Sequence, residues 1–132
     1  MKVLLDTNAY SALRRGQELV VEQVRRSEEV LLSMIVIGEL LFGFRNGSRY
    51  EENAQDLQTF VQDPHVRLLT LTWETTDWFG RISAELRKKG RPIPTNDIWI
   101  AAHTMEAGAD LISSDPHFSY IDGLPWVVFP AV

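Results

Sequence analysis

Four carboxylates, Asp6, Glu39, Asp97 and Asp115, occupy positions from which an alternating strand–helix chain can bring them together. Carboxylate oxygens are hard donors, and the chain has no cysteine and no obvious histidine pair. Such a set suits Mg2+, with Mn2+ able to substitute, better than zinc. An ion held this way can polarise a phosphodiester, activate water and steady a leaving oxygen. The four acids are therefore read both as metal ligands and as catalytic residues.

Each acid also has an ordinary structural use. An Asp in the first turn of a helix is favoured by the helix dipole, as Asp97 would be. Asp115-Pro116 is a turn opener, an Asp after a strand often satisfies its own loop backbone, and Glu39 could lie on a solvated helix face. Two features favour the site. Glu39 lies in IVIGELLFGF, where a solvated face is hard to find. The acids also lack local cations: no Lys or Arg lies three or four residues from Glu39, Asp97 or Asp115. Lys2 precedes Asp6 by roughly 13 Å of extended chain. Crowded carboxylates without cations are costly, and a bound metal relieves them.

The elements that must position these acids follow from hydrophobic periodicity. Val3–Leu5, Val30–Leu32, Val66–Leu71, Leu111–Ser113 and Trp126–Phe129 read as strands. Helices are expected up to Arg15, over Glu18–Ser27, from a cap at Ser33 towards Asn46-Gly47, and over Tyr50–Gln62 and Thr72–Lys89. A last one runs from a cap at Thr95 through Ala107 to Gly108. Strands alternating with helices predict an α/β fold with a mostly parallel sheet. In such sheets ligands bind beyond the carboxyl ends of the strands. Asp6 follows the first strand directly, Asp115 follows the fourth by two residues, and Glu39 sits in the second turn of the helix after the second strand.

At 132 residues, with no repeat or long linker, the sequence reads as one domain over residues 1–132. Its 45% hydrophobic and 23% charged residues are a globular balance. The opening MKVLLD is too short in apolar residues for a signal-peptide core, and no stretch approaches a membrane span, so a cytoplasmic protein without membrane contact is expected. The net charge of −5 argues against a nucleic-acid partner at first sight. The four acids contribute most of it, and a metal would neutralise them locally.

LLDTNAYSAL, IVIGELLFG and TNDIWIAAHTMEAGADLISSDPHF, in this order and across essentially the whole chain, resemble the motifs of PIN-domain ribonucleases of the VapC toxin type. The resemblance implies a three-layer α/β/α sandwich with five parallel strands, Mg2+ or Mn2+ dependence, and endonucleolytic cleavage of RNA. Carried over position by position, it gives Asp6, Glu39, Asp97 and Asp115 as the acids, with Thr7 or Asn8, Asn96 and Ser114 as supporting or water-holding groups. It implies a cognate antitoxin that blocks the site, and a homodimer.

Other readings are less well supplied. A haloacid-dehalogenase-type phosphatase needs a second Asp two residues after the first, where Asn8 stands. A receiver domain needs an acidic pair in the first loop and a Lys after the last strand. The alternative from another class is a non-catalytic PIN-like scaffold that binds protein or RNA, although such scaffolds tend to lose an acid. Arg87, Lys88, Lys89 and Arg91 could face a phosphate backbone, but a solvated helix end is the simpler expectation. His117 reads as a surface-loop residue, His103 as packed, and Trp73, Trp78, Trp99 and Trp126 as core or partner surface rather than base-stacking groups.

Overall fold

A computed structural model describes residues 1–131. The chain alternates β1 (Lys2–Leu5), α1 (Thr7–Arg14), α2 (Glu18–Arg26), β2 (Glu29–Ser33), α3 (Met34–Arg45), α4 (Tyr50–Val61), β3 (Val66–Leu69), α5 (Trp73–Lys89), α6 (Thr95–Ala107), β4 (Asp110–Ser113) and β5 (Trp126–Val128). A 3-10 turn over Pro116–Tyr120, which periodicity did not signal, joins the last two strands. The sheet has five strands in the order β3-β2-β1-β4-β5, and every pairing is parallel.

This order decides where a site can form. From β1 the chain steps outward to β2 and β3, then crosses back to β4 and β5 on the other side. Right-handed connections that step in opposite directions cover opposite faces, α1–α4 one and α5–α6 the other, which gives three layers. Between β1 and β4 the direction reverses, and a crevice opens beyond their carboxyl ends. Asp6 and Asp115 lie directly past those two strands.

Both faces of the central strands are covered, so these strands are continuously apolar rather than alternating. Val3, Leu4, Leu5, Leu31, Leu32, Leu111 and Ile112 are fully buried. The edge strand β3 is half exposed, with Leu68 open to solvent. Two strands, β3 and β5, stop short of the sequence expectation, for one reason. β3 stops at Leu69, opposite Ser33, and β5 stops at Val128, opposite Ser113. Each partner strand ends there, so Thr70, Leu71 and Phe129 have no ladder to join. Ser33 caps α3 as expected, with Ile35 N–H donating to its hydroxyl at 3.0 Å. Thr95 is not a cap: Pro94 is, without a side-chain bond, and α6 begins at Thr95. That shift puts Asp97 third in the helix, its N–H donating to Pro94 O at 3.0 Å.

Among the described residues no helix is long and apolar enough to cross a membrane. Leu4 lies on the central strand β1 and is fully buried. Leu4→Ala is predicted to cost about 2–5 kcal/mol, and the same change at edge residue Leu68 less than about 1 kcal/mol, both measured by urea denaturation.

Candidate metal centre

Asp6 ends β1 and caps α1, so its carboxylate is held before any partner arrives. Oδ1 accepts from Ala9 N–H at 2.8 Å, and Oδ2 accepts from the Ser113 hydroxyl at the end of β4. The residue is 5% exposed. Ser113 Oγ in turn accepts the Asp115 N–H at 2.9 Å. One hydroxyl therefore joins the acid after β1 to the acid after β4, across the crevice the topology opens. Trp126 on β5 fixes the same residue, its indole N–H donating to Ser113 O at 3.0 Å.

Glu39 comes from α3 and is half-buried. Thr7 donates to its Oε1 at 2.6 Å, and Asn96 donates to Oε2 at 3.3 Å. Thr7 belongs to the first motif and Asn96 to the helix of Asp97, so this carboxylate bridges three elements. Asp97 is 16% exposed and Asp115 23%. The two lie with His117 so that one ligand atom from each falls within 4.8 Å of the others.

The four acids thus share one end of the sheet, although not at one distance. Asp97 and Asp115 meet at His117, while Asp6 and Glu39 have part of their hydrogen-bonding capacity already used. Of the supporting residues, Thr7 and Asn96 hold Glu39. Asn8 and Ser114 do not enter the acidic cluster; with Ser11, Arg15 and Phe129 they line a neighbouring cleft. The hydroxyl that reaches the acids is Ser113, one residue earlier, because it sits on the strand end beside Asp6.

His117 is also a correction. It is 42% exposed, but its Nδ1 lies 3.0 Å from Asp115 Oδ1 and 3.3 Å from Asp97 Oδ2. The available signal was the spacing Asp115-Pro116-His117, since an Asp whose side chain accepts the N–H two residues on turns the chain back upon itself. That bond is present at 2.9 Å.

The other marked residues lie outside the acidic cluster. Lys89 pairs with Asp122 at 2.7 Å and donates to Tyr120 O, and Arg91 lies over the Tyr120 ring. Trp99 stacks on Phe79, Trp78 lies under Arg81, and Trp73 is 89% exposed. His103 is buried against Thr70 O, and burial pushes its pKa down.

The donor set fits a divalent cation. Among the described residues no Lys or Arg forms an ion pair with Asp6, Glu39, Asp97 or Asp115; the one basic group against them is His117. Burial raises the pKa of Asp97, with Asp115 and Glu39 adding to the rise and His117 opposing it. Oxygens on which burial and crowding disfavour negative charge are oxygens that a cation can stabilise.

The PIN domain family model matches residues 3–124. The chain is 28% identical over 131 residues to Ribonuclease VapC1 of Haemophilus influenzae (strain R2866), covering 96% of each chain. It is 33% identical over 119 residues to Ribonuclease VapC2 of Haemophilus influenzae (strain ATCC 51907 / DSM 11121 / KW20 / Rd), covering 87% of each. The structure of VapBC-1 from nontypeable Haemophilus influenzae superposes with a TM-score of 0.85 at 28% identity, covering 97% of this chain and 98% of that one.

Asp6 gives the cluster a pH signature. Burial lifts its pKa from 3.8 to about 6; the bonds from Ser113 and Ala9 oppose the rise, and the charges of Asp97 and Asp115 add to it. The folded chain then keeps a proton that the unfolded chain releases. This contribution to stability is complete below pH 3.8 and is lost as pH rises through about 6. In EDTA, the wild type is predicted to lose about 2 kcal/mol more than Asp6→Asn between pH 4 and pH 7. Denaturant titrations along that pH range check this, and parallel profiles for the two proteins contradict it.

Proposed function

The chain belongs to the PIN domain family, and from that premise we propose that it is a metal-dependent endoribonuclease, the toxin of a toxin–antitoxin pair. The observation that carries the reading is the convergence of Asp6, Glu39, Asp97 and Asp115 from four separate segments, with no Lys or Arg paired to any of them among the described residues. Relatives named ribonucleases match nearly the whole chain, which supports RNA as the substrate.

Asp97 and Asp115 would hold a Mg2+ or Mn2+ ion, with Asp6 and Glu39 beside it. When bound, the ion supplies Lewis-acid polarisation of a phosphodiester and positive charge for the leaving oxygen. The remaining work belongs to the chain. Thr7 and Asn96 fix the Glu39 carboxylate in one orientation, leaving lone pairs to accept from an attacking water. With a pKa of about 6 in the ion-free site, Asp6 can hold or release a proton near neutral pH. Ser113 keeps Asp6 and the start of the Asp115 loop in register.

We take residues 1–132 as one nuclease domain acting in the cytoplasm as a homodimer. Its partner is an antitoxin whose Arg or Lys takes the place of the ion among the carboxylates. Met34 and Phe42, exposed at 45% and 69% on the helix that carries Glu39, offer that partner an apolar footing beside the site.

The deciding experiment is cleavage of total RNA by the purified protein. Cutting should require Mg2+ or Mn2+, stop in EDTA, and fall by about 100-fold or more in Asp97→Asn, the loss of a positioned carboxylate. The cognate antitoxin should suppress it. Undiminished cutting in EDTA contradicts the proposal, and RNA binding without any cutting supports a non-catalytic scaffold instead.

A further inference from the structure

His117 has no role in the carboxylate chemistry just described, yet it is built into the cluster. Its backbone N–H donates to Asp115 Oδ1 at 2.9 Å, which folds the turn after β4 back over the acid. The ring Nδ1 then lies 3.0 Å from Asp115 Oδ1 and 3.3 Å from Asp97 Oδ2. A local turn explains the approach to Asp115. It does not explain Asp97, which is twenty residues earlier on α6. One imidazole nitrogen is therefore aimed at the gap between two acids from different elements.

These separations match coordination geometry. With metal–ligand bonds near 2.1 Å, neighbouring ligands of a six-coordinate ion stand roughly 3.0 Å apart, and opposite ones roughly 4.2 Å. The three donor atoms all lie within 4.8 Å of one another, so a single ion between them can reach each one. Asp6 is placed differently, since both its oxygens already accept hydrogen bonds from the chain.

Resting on the metal-centre reading above, we infer that His117 is a direct nitrogen ligand, through Nδ1, of the divalent ion held by Asp97 and Asp115. A nitrogen donor also changes which ion the site prefers. Mg2+ takes oxygen ligands and keeps its waters, whereas imidazole suits first-row transition ions. The site therefore binds Mn2+ and Co2+ more tightly than Mg2+, and His117 supplies most of the difference.

The chain has three histidines, which makes the inference open to spectroscopy. His103 is 1% exposed in the core, and His65 is exposed beside Asp63 at the start of β3. The experiment is pulsed EPR on the Mn2+-loaded protein, with calorimetric titrations of Mn2+ and Mg2+ alongside. Wild type and His65→Gln should show nitrogen coupling to Mn2+, and His117→Gln should not. The ratio of Mn2+ to Mg2+ affinity should fall about 10-fold or more in His117→Gln, while its melting temperature in EDTA stays near that of the wild type.

Wild-type Mn2+ binding without nitrogen coupling overturns the role of His117 and leaves an all-oxygen centre standing. Coupling that persists in His117→Gln and disappears in His65→Gln overturns it as well, by placing the ion at the exposed Asp63–His65 pair. If wild type shows neither heat nor a melting shift with either ion, the metal centre itself fails and the inference fails with it. The wild-type spectrum carries the test even if the variant does not fold.

Discussion

Asp6 is a carboxylate almost out of water, placed where two more acids face it. Burial pushes its pKa up to about 6, and the charges of Asp97 and Asp115 push the same way. No arginine or lysine relieves them among the described ion pairs; a half-exposed histidine does so in part. Negative charge concentrated at the carboxyl end of the sheet is thus the condition under which the rest of the molecule is arranged. At short range such repulsion is on the order of 1 kcal/mol per pair in a wet site. A fold keeps such an arrangement when something outside the polypeptide offsets it.

The scaffold answers this condition with rigidity. β1 and β4 are central, buried on both faces and paired to each other, so the positions just beyond them are set by the sheet rather than by loops. Ser113 donates to Asp6 and accepts from the Asp115 backbone, so a shift of either strand breaks the bond that joins them. Thr7 and Asn96 do the same for Glu39, tying α3 to the start of α1 and to α6. Carboxylates that repel one another stay in place because each is also a hydrogen-bond acceptor in the framework.

Much of this was legible in the sequence. Asp6 directly after an apolar strand and Glu39 in an apolar helix both stood out, since neither had a nearby cation and Glu39 had no solvated face to occupy. The strand–helix alternation pointed to an α/β fold with a mostly parallel sheet, and the three layers came from the family resemblance. What escaped was set by neighbours rather than by local pattern. The ends of β3 and β5 depend on where β2 and β4 stop. The choice of Ser113 over Ser114 depends on which of the two faces β1. His117 looked like a surface-loop residue because its turn is local, while the contact that gives it meaning, with Asp97, is made by packing. For Lys89 and Arg91 a solvated helix end was the simpler expectation, and the pairing with Asp122 and the placement over Tyr120 are tertiary facts.

The claim that these acids form a metal centre, rather than four unrelated polar residues, is tested most directly by paired thermal melts of the wild type and Asp97→Asn, in EDTA and in millimolar Mn2+. Removing one charge at nearly constant shape should leave the ion-free variant at least as stable as the wild type, less a dipole contribution of about 0.3–1 kcal/mol at the start of α6. Mn2+ should stabilise the wild type by roughly 2.7 kcal/mol at a hundredfold excess over Kd, and the variant by much less. A variant clearly less stable in EDTA, with an unchanged response to Mn2+, would contradict the account and leave Asp97 as a residue that only starts a helix.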